Sequence, residues 1–223
     1  MASKGNKRYI KSLNSPRFFA IHRKGNKYVV RQNPGRHSGS RSIALSLAVR
    51  KMGAAENAME AERIIRSGLV SVNGAARREP KFPVGLNDMI SAGGEDRSIS
   101  IDSNGKIVMS KGKAGEARIY KIVGKYKERK GAVMLRLNDG SVFKAGKEEA
   151  NVDDSVSLSG KERRILRLGE GSSCSVIEGV HVGSAGTVKS IKPGSKHRQK
   201  SAVIETNEGA TFETLVKNII VTG

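Results

Sequence analysis

The chain has 223 residues, a formal net charge of +20 and one cysteine, Cys174. No run of about 18 apolar residues exists to span a bilayer, the polar N-terminus has no apolar segment of a secretory signal, and one cysteine supports neither an internal disulfide nor a cysteine-based zinc site. So basic a surface is drawn to polyanions, because neutralising a phosphate backbone releases its counterions; RNA and DNA fit this better than a membrane.

The excess charge sits at the N-terminus. Thirteen Lys and Arg precede Glu56, the first acidic residue. Lys4, Lys7, Arg8, Lys11, Arg17, Arg23, Lys24, Arg36 and Arg41, with His37 among them, are candidate RNA contacts. Tyr9, Phe18, Phe19 and Tyr28 lie in the same stretch. Cations interleaved with rings suit RNA, since charges track phosphates and rings stack on unpaired bases. Asn33-Pro34-Gly35 reads as a turn, and apolar periodicity is lacking. Residues 1–41 are therefore expected to be an extension, mostly irregular when free and ordered by RNA.

Residues 42–105 predict a helix–helix–strand unit. Ser42 to Met52 is expected to be helical, with Arg50 and Lys51 in the last turn. Glu56 to Ser67 is the second helix, with Ala58, Ala61, Ile64 and Ile65 as its buried stripe and Gly68 ending it. A short strand from Leu69 then runs into Asn73-Gly74, a strong hairpin signal, and Asp88-Met89-Ile90-Ser91 begins another. Arg63, Arg66, Arg77, Arg78 and Lys81 join Arg41, Arg50 and Lys51 as candidate RNA contacts.

Residues 106–170 predict a small central β domain with strands at 117–123, 132–137, 141–144, 155–158 and 161–168, and a turn at Asn138-Asp139-Gly140. Residues 171–223 predict five more short strands, the pattern of a small barrel. Gly183 and Gly186 stand at a strand junction, with Lys189, Lys192, Lys196, Arg198 and Lys200 following. Two reasons for glycine there are a positive φ and close approach of a sugar-phosphate chain; the nearby lysines favour the second for at least one of the pair.

The order helix, glycine, helix with Ala61-Glu62-Arg63-Ile64-Ile65, Gly68, Val72-Asn73-Gly74, Pro83 and Asp88-Met89-Ile90 resembles the S4 RNA-binding domain. Gly183 to Val188 resembles a KOW motif. With Tyr9-Ile10-Lys11-Ser12-Leu13, Gly35-Arg36-His37, Phe82-Pro83-Val84-Gly85 and the closing Phe212, Asn218 and Ile219-Ile220-Val221, nearly the whole chain resembles the S4e family of small-subunit ribosomal proteins in an archaeal-type form. The resemblance implies a multi-domain α+β fold: an S4-like domain, a small central β domain and a C-terminal KOW or SH3-like barrel. It implies a cytoplasmic structural protein whose partners are small-subunit ribosomal RNA and neighbouring ribosomal proteins, with no cofactor, membrane or small-molecule substrate. In such a domain Arg41, Arg50, Arg63 and Arg77 fall at or near the RNA-facing side, and Ala58 stands where the family often has a basic residue.

An enzyme is not expected. His22, His37, His181 and His197 are scattered, and none has a neighbour at metal-ligand spacing. No nucleotide-binding glycine motif appears. Asp153-Asp154 is an adjacent acidic pair whose side chains would diverge on a strand. A free RNA-binding factor, ribosome-associated or transcription-related, is the alternative to a ribosomal protein.

Overall fold

Three residues expected to open a helix, Ser42, Ile43 and Ala44, form a strand in the computed structural model, which describes residues 9–112, 118–129, 131–145, 150–159, 162–206 and 209–223. The chain divides into two units, one of residues 1–100 and 106–114, the other of 101–105 and 115–223. The first carries β1 (Tyr9–Lys11), β2 (Tyr28–Val30), β3 (Ser42–Ala44), α1 (Leu45–Lys51), α2 (Ala58–Arg66), β4 (Ser71–Val72), β5 (Ala75–Ala76), β6 (Pro83–Gly85), β7 (Met89–Ala92), β8 (Glu95–Ile101) and β9 (Ile107–Lys111).

Helix α1 starts late because β3 pairs antiparallel with β6, Ile43 opposite Val84. The Leu45 and Ser46 amides, which a helix would leave unpaired at its start, donate to Phe82 and Pro80 carbonyls at 2.9 Å each. Helix α2 follows local rules closely. Asn57 caps it, its side chain accepting from the Glu60 amide at 2.9 Å, and Gly68 follows the last turn with φ +84°. Ala61 and Ile65 are buried and Ile64 partly so, but Ala58 is exposed, so the stripe is narrower than expected. Asn73 and Gly74 both have positive φ, 53° and 79°, the signature of the two-residue turn that joins β4 to β5. The sheet order is β5-β4-β7-β8-β9.

The expected irregular arm is folded from Tyr9 onward. Phe19 is fully buried in the core shared with Leu45, Ala48, Val49, Ile65 and Val70, and Ile10, Phe18, Ile21 and Val29 pack against that core. Lys51 Nζ donates to the Phe19 and Ala20 carbonyls at 2.6 and 3.0 Å. Apolar side chains spaced without period still found a surface to cover, and that outweighs the repulsion among the arm's cations. Lys4, Lys7 and Arg8 lie outside the described residues.

The second unit holds two five-stranded antiparallel sheets. The first, in the order β12-β11-β10-β13-β14, comprises β10 (Arg118–Lys127), β11 (Val133–Leu137), β12 (Val142–Lys144), β13 (Ser155–Ser159) and β14 (Glu162–Leu166). Leu135 and Leu137 alternate into its core with Tyr120, Ile122 and Val156. Ala117 and Lys161, the expected first residues of two strands, lie outside the described residues. The second sheet, in the order β18-β17-β16-β15-β19, comprises β15 (Ser173–Val176), β16 (Ala185–Lys192), β17 (Ser201–Thr206), β18 (Thr211–Leu215) and β19 (Ile219–Val221). Cys174 lies in its core, where burial pushes the thiol up to about 11 and leaves it unreactive.

Polar groups join these two sheets. Lys121, 4 % exposed, donates from Nζ to the Val216 carbonyl and to the Ile219 carbonyl at 3.2 Å, and lies 3.1 Å from Asp153 Oδ1. The Val221 amide donates to Ser155 Oγ at 2.9 Å. The adjacent aspartates do diverge, but in a turn rather than on a strand: Asp153 has φ +80°, while Asp154 accepts from the Asn151 and Leu168 amides.

Candidate nucleic-acid interface

Charge at the end of α2 is concentrated by the helix itself. Arg63 and Arg66 are exposed and three residues apart, hence neighbours on one face. Arg78, also exposed, reaches back over Gly68: a Cβ built there would lie 3.2 Å from Arg78 Nε. Three guanidinium groups thus gather where the helix dipole is negative, an arrangement that keeps cations together against their own repulsion. Arg66 has a loose partner in Glu62 at 3.8 Å, the two side chains 69 % and 44 % exposed. This cluster presents charge to solvent, as a phosphate contact requires.

Other expected contacts have internal work. Arg77 is half-buried, its guanidinium 4.7 Å over the Phe82 ring and its Nε buried without a partner. Arg77→Ala therefore removes packing as well as charge. Arg50 is likewise half-buried with an unpartnered Nε. Burial lowers the pKa of Arg41 and of Lys51, whose ammonium is held by two carbonyls. Lys81 Nζ lies 5.6 Å from the centre of the Tyr9 ring. Lys11, Arg17, Arg23 and Lys24 are exposed, with Arg23 donating to the Ser15 carbonyl at 3.0 Å.

His37, expected to face RNA or solvent, is turned inward. Its Nε2 lies 2.7 Å from Asp88 Oδ2, with the ring buried and the carboxylate fully so. An ionised carboxylate only accepts, so the imidazole is the donor. Asn73 Nδ2 donates to Asp88 Oδ1 at 2.7 Å, the Gly85 amide to Oδ2 at 3.0 Å, and Arg36 stands 4.0 Å away. Burial alone would raise the Asp88 pKa; the hydrogen bond and charge of His37, then the Gly85 and Asn73 bonds, outweigh it and hold it below the usual Asp value. Sequence spacing marks Asp88 as part of a pattern but carries no signal for a partner fifty-one residues earlier.

At the other end of the chain the fold supplies its own reason for glycine at both positions. A Cβ on Gly186 would meet the Glu205 carbonyl oxygen at 2.2 Å, and one on Gly183, whose φ is +86°, would meet Asp102 O at 2.4 Å and Ser103 Cα at 2.5 Å. On the side a Cβ would take, the space beside both glycines is filled by the protein's own backbone. The basic tip is also partly neutralised. Lys192 and Arg198 bond Glu213 at 2.7 and 2.9 Å, Ser201 Oγ donates to it at 2.6 Å, and Lys189 stands 3.6 Å from Glu205. The Lys192 and Ser201 hydrogen bonds, with the charge of Arg198, bring the Glu213 pKa down to about 2. Lys196 and Lys200 are exposed. Since Glu213 stays ionised well below neutral pH, Glu213→Gln is expected to release two cations. RNA affinity at low salt should rise, and the log–log salt slope should steepen by up to roughly 0.7–0.9 per freed contact. An unchanged slope would show that the tip stays off the RNA.

Among aromatic residues the structure separates what sequence had grouped: Phe19 is core, whereas Tyr9 and Tyr28 are 51 % and 52 % exposed. The alternation of Tyr9 with Ile10 and of Tyr28 with Val29 is the local signal that would have divided them.

The S4 domain model matches residues 45–90, and the RS4NT domain model matches residues 4–40. The chain is 35 % identical over 231 residues to small ribosomal subunit protein eS4 of Methanothermobacter thermautotrophicus, a match covering all of this chain and 95 % of that one. It is 31 % identical over 237 residues to eS4 of Methanococcus aeolicus, covering all of this chain and 97 % of the other. Among solved structures, the crystal structure of 30S ribosomal protein S4e from Thermoplasma acidophilum superposes with a TM-score of 0.68 at 25 % identity, covering 82 % of this chain and 95 % of that one.

Proposed function

The chain belongs to the eS4 family of small ribosomal subunit proteins, and from that premise we propose how it serves as a structural constituent of the small subunit and not as an enzyme. Kinship along the full length of the chain carries this reading. It binds ribosomal RNA, has neighbouring ribosomal proteins as its other partners, and works in the cytoplasm. The α2 cluster of Arg63, Arg66 and Arg78 and the exposed cations of the N-terminal segment supply phosphate contacts. The β15–β19 sheet is a KOW-like barrel whose Lys196 and Lys200 add to them.

Two measurements test this. The protein should sediment with the small subunit at one copy per particle through a high-salt wash; loss in the wash would make it a transient factor instead. Arg63→Ala and Arg78→Ala should weaken RNA binding and each lower the log–log salt slope by roughly 0.7–0.9, with unchanged thermal melts, because both side chains are exposed. Binding equal to the parent at every salt concentration would move the RNA to another face.

A further inference from the structure

We propose that the β1–β2 ribbon is a stacking platform for unpaired nucleotides of the RNA, with Tyr9 and Tyr28 as its two base-binding rings. This rests on the RNA-binding reading above and adds to it a site for single-stranded RNA distinct from the arginine cluster on α2.

The register of the ribbon makes the platform. Tyr9 pairs with Val30 and Lys11 with Tyr28. Opposite residues share a face, as do residues two apart, so Tyr9, Lys11, Tyr28 and Val30 all lie on one side. The other side carries Ile10 and Val29, which pack on the core and fix the ribbon in place. Tyr9 and Tyr28 are diagonal neighbours, a relation that sets residues roughly 7–8 Å apart. Successive bases of an extended strand can each find a ring at that separation, whereas a duplex offers no free base face.

Two further observations support the choice of ligand. Each ring already carries a cation: Lys81 Nζ is 5.6 Å from the Tyr9 centroid and Lys27 Nζ 5.5 Å from that of Tyr28. Both ammonium groups lie over a ring face, so a base stacking there takes the place of a flexible lysine tip, which is then free to pair with the phosphate. Alongside runs a cleft of about 710 Å³ whose lining includes both tyrosines, Arg50 and Met109 and no Asp or Glu. Ser46 Oγ and Arg50 Nε in its wall have no hydrogen-bond partner. The ribbon thus presents two rings, 51 % and 52 % exposed, on one face beside a cleft whose lining carries no Asp or Glu.

The test compares a short oligouridylate with a ribose-phosphate chain of equal length and charge that lacks bases. The intact protein should bind the oligouridylate more tightly, and tyrosine emission, undisturbed by tryptophan because the chain has none, should be quenched on binding. Tyr9→Leu and Tyr28→Leu should each weaken oligouridylate binding about tenfold and leave binding to the base-free chain and its salt slope unchanged; Tyr9→Phe and Tyr28→Phe should restore it. Equal affinity of the parent for the two strands overturns the proposal, as do leucine variants that bind oligouridylate like the parent. Leucine variants that keep RNA affinity but enter subunits poorly would assign the rings to a protein neighbour, which also overturns it. A parent that binds neither strand but binds structured ribosomal RNA removes the platform and leaves the wider function standing; one that binds no RNA at all removes both.

Discussion

Gly186→Ala is expected to destabilise the free protein by about 3 kcal/mol, since forcing extra atoms into a packed interior typically costs 1–3 kcal/mol and more when the obstacle is backbone. The added methyl would sit 2.2 Å from the Glu205 carbonyl oxygen. Gly186 pairs with Cys174 on one side and Thr206 on the other, so neither neighbouring strand can retreat without opening a ladder. Gly183→Ala should be comparably damaging for two reasons: a φ of +86° costs an L residue about 1–2 kcal/mol, and Asp102 and Ser103 backbone occupies the side-chain position. Thermal melts of the RNA-free variants read this directly. If Gly186→Ala melted like the parent yet bound RNA poorly, the nucleic acid rather than Glu205 would need that space.

Asp88→Ala should cost about 3–5 kcal/mol, the usual consequence of removing one partner from a buried charged network. Three donors would lose their acceptor at once: His37 Nε2, Asn73 Nδ2 and the Gly85 amide. The loss would loosen the Asn73-Gly74 turn, because Asn73 is held between Asp88 and the Met89 amide, which donates to its Oδ1 at 3.0 Å. Asp88→Asn, which keeps an acceptor and the shape, should lose less. The pH dependence follows from the direction of the shift. The folded-state pKa of Asp88 lies below the usual value, so its contribution is fully present above the unfolded-state pKa of about 3.9 and disappears as pH falls through the folded one. Denaturant titrations of the parent should thus show this part of the stability flat from neutral pH to about 5 and falling below about 4. Asp88→Asn should flatten that acid limb; an unchanged limb would place the acid sensitivity in other carboxylates.

Local signals in this chain were legible in the sequence. Gly68 marked the end of helix α2, where its φ of +84° closes the last turn; the Asn57 cap at the other end went unread, and the helix starts two residues later than expected. Asn73-Gly74 turns its hairpin because both residues accept positive φ. Alternation at Leu135 and Leu137 marked a half-buried strand. The charge asymmetry, the order of elements in residues 42–90 and the family resemblance needed only composition and spacing. What the sequence determined, then, was the class of ligand, most of the kinds of element and the turns between them.

The tertiary structure decided which side chains remain to meet a ligand. Ser42 to Ala44 is strand because residues 83–85 come back to pair with it, although the local pattern favoured helix. Phe19 became core and Tyr9 stayed outside, a distinction set by the surface that α1 and the β strands offer. His37 is turned inward by Asp88, and Lys51 is held by the Phe19 and Ala20 carbonyls. Gly183 and Gly186 are constrained by backbone at Asp102, Ser103 and Glu205. In each case the deciding partner is distant in sequence, and burial or a filled volume is a property of the assembled chain: propensity and periodicity report on a residue's neighbours along the chain, while exposure, and with it the freedom to bind RNA, depends on what folding brings against it.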